Sequence, residues 1–389
     1  MLETYYADMH IHIGRDMYGN PVKITGAKSL TLTNILKEAG RTKGIDLIGV
    51  IDCHAPYVLQ EIDQLMEEKR AYELKEGGIK FEDITLIPGS EIEIYDENCH
   101  GPIHVLCFFP TIKSTASFSD WLSTKMKNIN LSSQRYYGTG KELQYKVKEL
   151  GGIFIPAHVF TPFKSLYGRG VKKSLREVLD PDLIDAVELG LSSDTFMADQ
   201  ISELHEFTFV TNSDAHSLGK IAREYQQIKM KEASFKELEW ALHQLNDRKI
   251  VKNFGMNPKL GKYHTTVCSQ CFEPLPVDTK KCPICQSRKI IKGVSERIQE
   301  LKDTDKPTEN RPPYLYQVPL EYLPSLGPKT YEKLLNQFGT EMSVLHEIPL
   351  EALRSALPEK LAASIIQMRN GQLPIKAGGG GKYGKVSPS

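Results

Sequence analysis

The chain has 389 residues, 40% of them hydrophobic and 25% charged, and its 49 basic and 49 acidic residues leave no net charge. This composition is typical of a globular protein of two or three domains and excludes a disordered or fibrous chain. The chain does not start with a basic segment followed by an apolar one, and no apolar run approaches the ~18 residues that cross a bilayer. We therefore expect a cytoplasmic protein that contacts no membrane.

The neutral total conceals segments of different charge. Residues 1–247 hold 27 basic and 36 acidic residues, a net charge of −9. Residues 248–292 hold 10 and 2, a net of +8, and residues 293–389 hold 12 and 11, a net of +1. An acidic body with a basic insert suits a protein that binds cations in one part and an anionic polymer in another, although charge also fluctuates along any chain.

Short apolar strands alternate with helical stretches over the first 247 residues. The predicted strands are 5–12, 46–52, 84–87, 91–95, 103–109, 153–156, 185–189 and 207–212. The predicted helices are 30–40, 58–76, 141–150, 174–179, 195–205 and 234–247. Such alternation predicts an α/β fold with a mostly parallel sheet, and seven or eight strands indicate a barrel. We interpret residues 1–247 as one domain.

The rest of the chain divides into smaller predicted units. Residues 248–292 form a basic module around four cysteines, and residues 293–313 form a helix followed by a Pro-containing linker. Residues 314–372 show two helical hairpins, and residues 373–389 are a Gly-rich basic tail. A flexible end is the simplest interpretation of that tail.

Metal-capable side chains recur at the predicted strand ends. Asp8, His10 and His12 are spaced by two residues, so they share one face of the first strand. The others at or next to strand ends are Asp52, His54, Glu91, His104, His158, Asp214 and His216. Imidazoles suit zinc, manganese or iron, and a shared carboxylate can hold two metals. The set predicts a catalytic metal site, although any single histidine of this kind is as often a core residue.

This order of motifs, from DMHIH through DCH to SDAH, resembles the PHP family (polymerase and histidinol phosphatase). The resemblance implies a distorted (β/α)7 barrel that hydrolyses phosphoesters with two or three divalent metals, which are zinc, manganese, magnesium or iron. The implied ligands are His10, His12, His54, Glu91, His104, His158, Asp214 and His216. Asp8, Glu91 and Asp214 are the implied catalytic carboxylates. The family motif is Asp-His, whereas Cys53 here separates Asp52 from His54, and we favour His54 as the ligand.

Two CxxC pairs stand ten residues apart within the basic module. Their members are Cys268, Cys271, Cys282 and Cys285. This spacing is typical of a zinc ribbon, in which four thiolates hold one structural zinc ion. The neighbouring Lys280, Lys281 and Lys289 suit contact with a phosphate backbone, or they only stabilise the thiolates.

The segment LPSLGPKTYEKLLNQFG resembles a helix-hairpin-helix motif. In such a motif the start of the second helix offers free backbone N–H groups to a phosphate, and here Lys329 and Thr330 stand at that start. Ser325 occupies a position where the motif has glycine. Helix pairs also occur as plain packing units, so DNA binding and packing both stay open for this α-helical C-terminal region.

A PHP barrel followed by a basic zinc ribbon and helix-hairpin-helix units resembles, over the whole chain, the endonuclease Q family. The resemblance implies a metal-dependent repair endonuclease of prokaryotic type that acts on the nucleoid. It would cleave DNA on the 5′ side of deaminated bases (uracil, hypoxanthine, xanthine) and of abasic sites. The DNA-contact candidates are Arg135, Phe160, Lys164, Tyr167, Arg169, Lys280, Lys281, Lys289, Lys329 and Thr330.

Two other functions remain compatible with the sequence. One is a PHP phosphatase that acts on a small phosphomonoester, and the other is a non-enzymatic DNA-binding adaptor with a vestigial barrel. A sliding clamp is a conceivable protein partner, but QLPI at 372–375 is too short a motif to support one.

Overall fold

The computed structural model describes residues 1–378 and 383–386. Its strands are β1 (Glu3–Ile11), β2 (Leu47–Val50), β3 (Ala71–Glu73), β4 (Ile79–Phe81), β5 (Ile84–Ile94), β6 (Ile103–Phe108), β7 (Arg135–Tyr136), β8 (Ile153–Pro156), β9 (Val187–Glu188), β10 (Phe209–Val210), β11 (Tyr225–Met230), β12 (Lys249–Gly255), β13 (Val267–Cys268), β14 (Ile290–Ile291), β15 (Tyr314–Tyr316), β16 (Ile375–Lys376) and β17 (Lys385–Val386). Its α-helices are α1 (Leu32–Lys37), α2 (Pro56–Glu67), α3 (Ile112–Ser123), α4 (Gly140–Glu149), α5 (Thr195–Ala198), α6 (Phe235–Leu242), α7 (Val294–Leu301), α8 (Pro328–Phe338), α9 (Leu350–Ala356) and α10 (Glu359–Arg369).

An 11-stranded sheet is the centre of the fold. Its main path is β15-β12-β11-β1-β2-β5-β4-β3; β6 and β7 pair with β5, and β8 pairs with β6. β1, β2 and β5 are mutually parallel, whereas β11, β6 and β8 join by antiparallel pairing. The α/β class is confirmed, but the sheet is mixed and not mostly parallel. Among the described residues the strand pairing does not close into a ring, and β9 pairs with β10 in a separate parallel ribbon.

One continuous strand replaces two predicted ones. β5 runs through Pro88 and Gly89, which lie between the predicted strands 84–87 and 91–95. A side chain at position 89 would place its Cβ 2.6 Å from the ring of Phe108, so glycine allows β6 to pack closely there. Glu91 therefore lies inside a rigid strand that pairs with β6.

Helix predictions failed where short polar segments or turns intervene. The predicted helix 58–76 ends at Glu67, because the chain turns at Lys69 (φ 56°) into the β3–β4 hairpin. Helix α3 was missed, because its Ser- and Thr-rich sequence has low intrinsic helix propensity, and a capping box at Thr111 starts it. The predicted helices 174–179 and 195–205 shrink to single turns.

The C-terminal helices pack onto the catalytic sheet. Leu334, Leu353 and Ile365 share one hydrophobic core with residues of β1 and β12. A buried ion pair of 2.7 Å between Lys43 and Glu341 crosses this contact. The predicted boundary at residue 248 is also displaced, because β12 is a member of the central sheet, and the cysteine module begins after it.

His346 lies half-buried at this contact, and we expect it to make the packing of the C-terminal helices sensitive to acid. Its ring stacks on Tyr6 at 4.9 Å between centroids, and its Nε2 lies 2.7 Å from the Tyr225 hydroxyl. Burial, with smaller contributions from Arg369 and Lys252, lowers the pKa of His346 to about 4. The stability that depends on the neutral ring is present above pH 6.5 and is lost as the pH falls towards 4.

Between pH 7 and pH 5 this histidine should cost the folded state about 2 kcal/mol. The measurement is denaturant unfolding of the full chain at both pH values, beside His346→Phe, which keeps an aromatic ring but cannot be protonated. The variant should lose less stability on acidification than the parent chain. Equal losses would show that His346 is not the titrating group.

Within the part of the chain described here, no helix combines the length and the apolar character needed to cross a membrane.

Candidate metal centre

Two groups of metal-capable side chains meet at one edge of the sheet. The first is His10, His12 and Asp214, and the second is Glu91, His104 and His158; within each group the ligand atoms lie within 4.8 Å of one another. β1 and β5 are parallel through β2, so His10, His12 and Glu91 come to the same edge. β6 runs antiparallel to β5, so its first residues, including His104, reach that edge too.

The imidazoles are oriented as metal ligands are. Nδ1 of His10 lies 2.9 Å from Glu188 Oε1, and Nδ1 of His12 lies 3.0 Å from Asp52 Oδ2. Both Nε2 atoms are buried and have no hydrogen-bond partner within residues 1–378 and 383–386. A carboxylate on one ring nitrogen fixes the tautomer that leaves the other nitrogen free for a metal. The donor set therefore fits divalent metals that accept nitrogen and oxygen ligands.

Glu91 stands between the two groups. Its Oε1 lies 2.8 Å from His104 Nδ1 and 3.3 Å from His158 Nε2, while its Oε2 lies 3.6 Å from His12 Nε2. Burial opposes ionisation, but the nearby His104 and Lys23 hold the pKa of Glu91 well below its ordinary value. An ionised carboxylate with one oxygen towards each group has the position of a shared ligand.

Two of the candidate ligands are held in an unusual backbone conformation. His158 and Asp214 have φ angles of 32° and 46°, in the left-handed region that non-glycine residues rarely occupy. The His158 backbone N–H donates to Glu188 Oε2 at 2.8 Å. Gly190, with φ 77°, packs against His158 so closely that a Cβ would lie 2.7 Å from the histidine Cβ. These contacts hold the loop in one conformation, in which the His158 side chain faces Glu91.

Three predicted site residues have different positions from those expected. His54 lies outside both groups, and its Nε2 is 3.4 Å from the Leu131 carbonyl. His216 lies beside the first group, with Nε2 3.2 Å from Asp214 Oδ1. Asp8 accepts backbone hydrogen bonds from Ser213 at 3.0 Å and from Ala222 at 2.9 Å. Asp8 thus supports the loop that carries Asp214, and its implied catalytic role stays a prediction.

Sequence reasoning missed Glu188 and Asn212. Glu188 lies in β9 and contacts His10 and His158, and Asn212 Nδ2 donates to it at 2.7 Å. Burial opposes ionisation of Glu188, but His10 outweighs it and lowers the pKa of this carboxyl. A lone acid inside the apolar segment AVELG was the available signal, because a buried charge needs a partner.

A cavity of about 410 Å³ opens directly onto the metal centre. Its walls include the following: Glu91, His104, His158, Asp214, Phe163, Lys164, Lys262, Tyr263 and Tyr383. Phe163 is 49% exposed, and its ring meets that of Tyr263 edge-on at 5.4 Å. Tyr383 comes from the tail that the sequence suggested was a flexible end, and Lys262 Nζ lies 4.5 Å from its ring centroid. The tail residues 379–382 and 387–389 lie outside the described residues.

The DNA-contact candidates near His158 divide into buried and exposed side chains. Phe160 and Tyr167 are 1% and 0% exposed and stack on each other at 5.4 Å, so neither ring offers a free face to DNA in this conformation. Chain proximity to His158 did not reveal that they face the core. Lys164 lies at the cavity and pairs with Glu93 at 2.8 Å, and Arg169 is exposed.

The remaining candidates lie at the surface. Arg135 stands over Tyr95 at 4.9 Å and over Tyr137 at 5.5 Å. Lys329 is exposed at the start of α8 beside the half-buried Thr330. The exposed lysines of the cysteine module are Lys280, Lys281 and Lys289.

The four cysteines of the basic module converge. Cys268 Sγ lies 3.5 Å from Cys285 Sγ, and Cys271 Sγ lies 3.5 Å from Cys282 Sγ. A tetrahedral zinc site with bonds near 2.3 Å has sulfur–sulfur edges of about 3.8 Å, so these positions fit zinc. The module has little other core, because its buried cluster consists of Cys268, Leu275 and Cys282. This arrangement of four cysteines is that of a zinc ribbon.

Fold and site together define a mixed α/β scaffold with a candidate metal centre of histidines and carboxylates, to which a zinc ribbon and a helical region are added. No established family profile matches the chain. The uncharacterized protein YqxK of Bacillus subtilis is 54% identical over 387 residues, which cover 100% of both chains. The lesion-specific endonuclease PfuEndoQ of Pyrococcus furiosus is 32% identical in sequence, with a TM-score of 0.85 over 99% of this chain and 95% of that one.

A second solved structure shows endonuclease Q with a 27-mer duplex substrate that has an abasic lesion at the active site. It is 31% identical to this chain and covers 100% of it and 97% of its own chain, with a TM-score of 0.85. The chain belongs to the endonuclease Q family, as its order of modules predicts. It is therefore an enzyme of the phosphodiester hydrolase class.

Proposed function

We propose that this protein is a metal-dependent DNA repair endonuclease that hydrolyses the phosphodiester on the 5′ side of a deaminated base or an abasic site. The observation that carries the proposal is the pair of ligand groups around Glu91, beside a cavity of about 410 Å³. The similarity to endonuclease Q over the whole chain supports DNA as the substrate.

The chain's own residues would hold two metals in place. His10, His12 and Asp214 would bind one metal, and Glu91, His104 and His158 the other. When bound, such metals neutralise charge on the phosphoryl group and activate water for in-line attack. Asp52 and Glu188 fix the imidazoles so that the ligand nitrogens keep their orientation. The candidate metals are zinc, manganese, magnesium and iron, and their expected number is two or three.

The cavity offers room for an extruded nucleoside. Its volume lies within the range of small-molecule sites, and Phe163 and Tyr263 give one wall aromatic surface. A deaminated base pairs poorly, so unstacking it costs less free energy, and an abasic site has no base to unstack. Selectivity would thus come partly from the DNA. We propose that phosphates are bound by Lys164 at the cavity and by the exposed Arg169, Arg135 and ribbon lysines elsewhere on the surface.

The test uses end-labelled duplexes that carry one abasic site, one uracil or one hypoxanthine, beside an undamaged duplex. With Mg²⁺ or Mn²⁺ we expect a single nick 5′ to each lesion, and EDTA should abolish it. Undamaged duplex should stay intact. Absence of any metal-dependent nick would reject the proposal, and faster hydrolysis of p-nitrophenyl phosphate than of all duplexes would favour a phosphomonoesterase.

A further inference from the structure

A lysine that no metal-site motif contains reaches into the centre. Lys23 lies in the loop between β1 and α1, and its Nζ is 3.2 Å from Glu91 Oε2 and 2.6 Å from Ser133 Oγ. The side chain is 15% exposed and forms part of the cavity wall. Ser133 also donates a short hydrogen bond to the same oxygen of Glu91. Lys23 thus touches the carboxylate that both ligand groups share.

The loop holds Lys23 in a defined position. Its backbone N–H donates to the Ile13 carbonyl at 2.8 Å, and its carbonyl accepts from Gly26 N–H at 2.9 Å. Gly14 and Gly26 allow this close return, because a Cβ on Gly14 would lie 2.0 Å from the Ala27 carbonyl oxygen. Lys23 is therefore built into the site, unlike a mobile surface lysine.

The charges around Lys23 explain its place. Glu91, Asp52 and Asp214 present negative charge to its ammonium. Two of the three ammonium N–H groups have acceptors in Glu91 and Ser133, which leaves a third donor beside the cavity. His54 and His216, two of the eight implied ligands, lie outside both ligand groups.

We propose that Lys23 is a fixed cation of the catalytic site, which takes the place of a third metal and donates to a non-bridging oxygen of the scissile phosphate. The site then binds two metals. The phosphate contact rests on the proposed function, because it requires a phosphodiester in the cavity. The metal count does not depend on the substrate.

Metal analysis tests the proposed number of bound metals. The full chain is loaded with Mn²⁺, passed through a desalting column, and analysed for manganese and zinc per chain. We expect two manganese ions and one zinc ion in the parent chain, and the same count in Lys23→Met. Three or more manganese ions in the parent chain would overturn the proposal.

Cleavage by the same preparations tests the proposed contact between Lys23 and the scissile phosphate. Lys23→Met should lower kcat about 100-fold both on an abasic duplex and on bis(p-nitrophenyl) phosphate, because one charged donor to the transition state is lost. The control is Lys113→Met, a change at an exposed lysine of α3, and it should leave both rates unchanged. Lys23→Gln keeps a donor to Glu91 without the charge, and it is measured beside the thermal melt in case Lys23→Met unfolds.

The outcomes separate the two proposals. If the parent chain hydrolyses the small diester but nicks no lesion, the lesion-specific function fails, while the Lys23 comparison remains valid. Wild-type rates in either folded Lys23 variant would refute the phosphate contact. A folded Lys23→Met that loses manganese together with activity would refute it as well, since Lys23 would then only position Glu91.

Discussion

Replacing Glu91 with Gln should abolish metal-dependent cleavage. The change removes the charge of a carboxylate that contacts imidazoles of both ligand groups, yet it nearly preserves side-chain shape. Several kcal/mol of transition-state stabilisation by the metals would be lost, which corresponds to a fall in kcat on the order of 10³-fold or more. The measurement is single-turnover cleavage of an abasic duplex, with manganese counted per chain in the same preparation.

The manganese count should fall by at least one ion per chain, because a neutral amide is a poor ligand for two metals at once. Glu67→Gln at the exposed end of α2 is the matched control, and it should keep both manganese and activity. Circular dichroism must show a folded Glu91→Gln variant for the result to count. Activity within tenfold of the parent chain would contradict the shared-ligand role of Glu91.

The part of this centre that the sequence predicts well is the part that depends on strand periodicity. His10 and His12 alternate with apolar residues, so a buried strand had to turn them to one face. Asp214, Glu91, His104 and His158 were found because strand ends meet at one edge of such a sheet. The register between β5 and β6, with Glu93 opposite His104, then decided which side chains touch.

Glu188 and Lys23, which contact the candidate metal ligands, could not be predicted in the same way. Glu188 contacts His10 across 178 positions of the chain, and Lys23 contacts Glu91 across 68. Contacts of this kind depend on how loops return to the sheet, and periodicity within one strand says nothing about them. The spacing in DCH likewise put Asp52 and His54 on one side, but in the structure only Asp52 meets His12, and the role of His54 as a ligand stays a prediction.

The sequence also does not reveal which of the aromatic residues that follow His158 lie in the core and which lie at the surface. Phe160 and Tyr167 stand close to His158 in sequence, where the backbone turns tightly. Both side chains nevertheless lie in a hydrophobic core that contains residues of β6 and β8. Their neighbour Phe163 faces the cavity and is exposed. A shift of three residues in an irregular loop therefore decides between packing and substrate contact, and no sequence rule for helices or strands applies there.

Replacing Cys268 and Cys271 with Ser should release the structural zinc and weaken DNA binding. The ribbon's buried cluster is too small to keep β13 and β14 paired without the metal, so the module should unfold locally. We expect the affinity for an abasic duplex to fall about tenfold to 100-fold at physiological salt. The salt dependence of binding should also become shallower, because each lost phosphate contact reduces the slope of log K against log salt by about 0.9.

A second variant separates the contribution of the lysine charges to DNA binding from that of the zinc ion. Lys280→Gln together with Lys281→Gln should retain zinc but still reduce affinity and salt slope, because both side chains are exposed beside the cysteines. Lys113→Gln, on α3, is the control for losing one surface charge. On the proposed function, the unequal charge along the chain has a physical meaning: the acidic segment would bind metal cations, and the +8 segment would bind the DNA that is cleaved. Parental affinity in the double lysine variant would leave the ribbon a purely structural element, and the DNA contacts would have to come from the cavity rim and the helices.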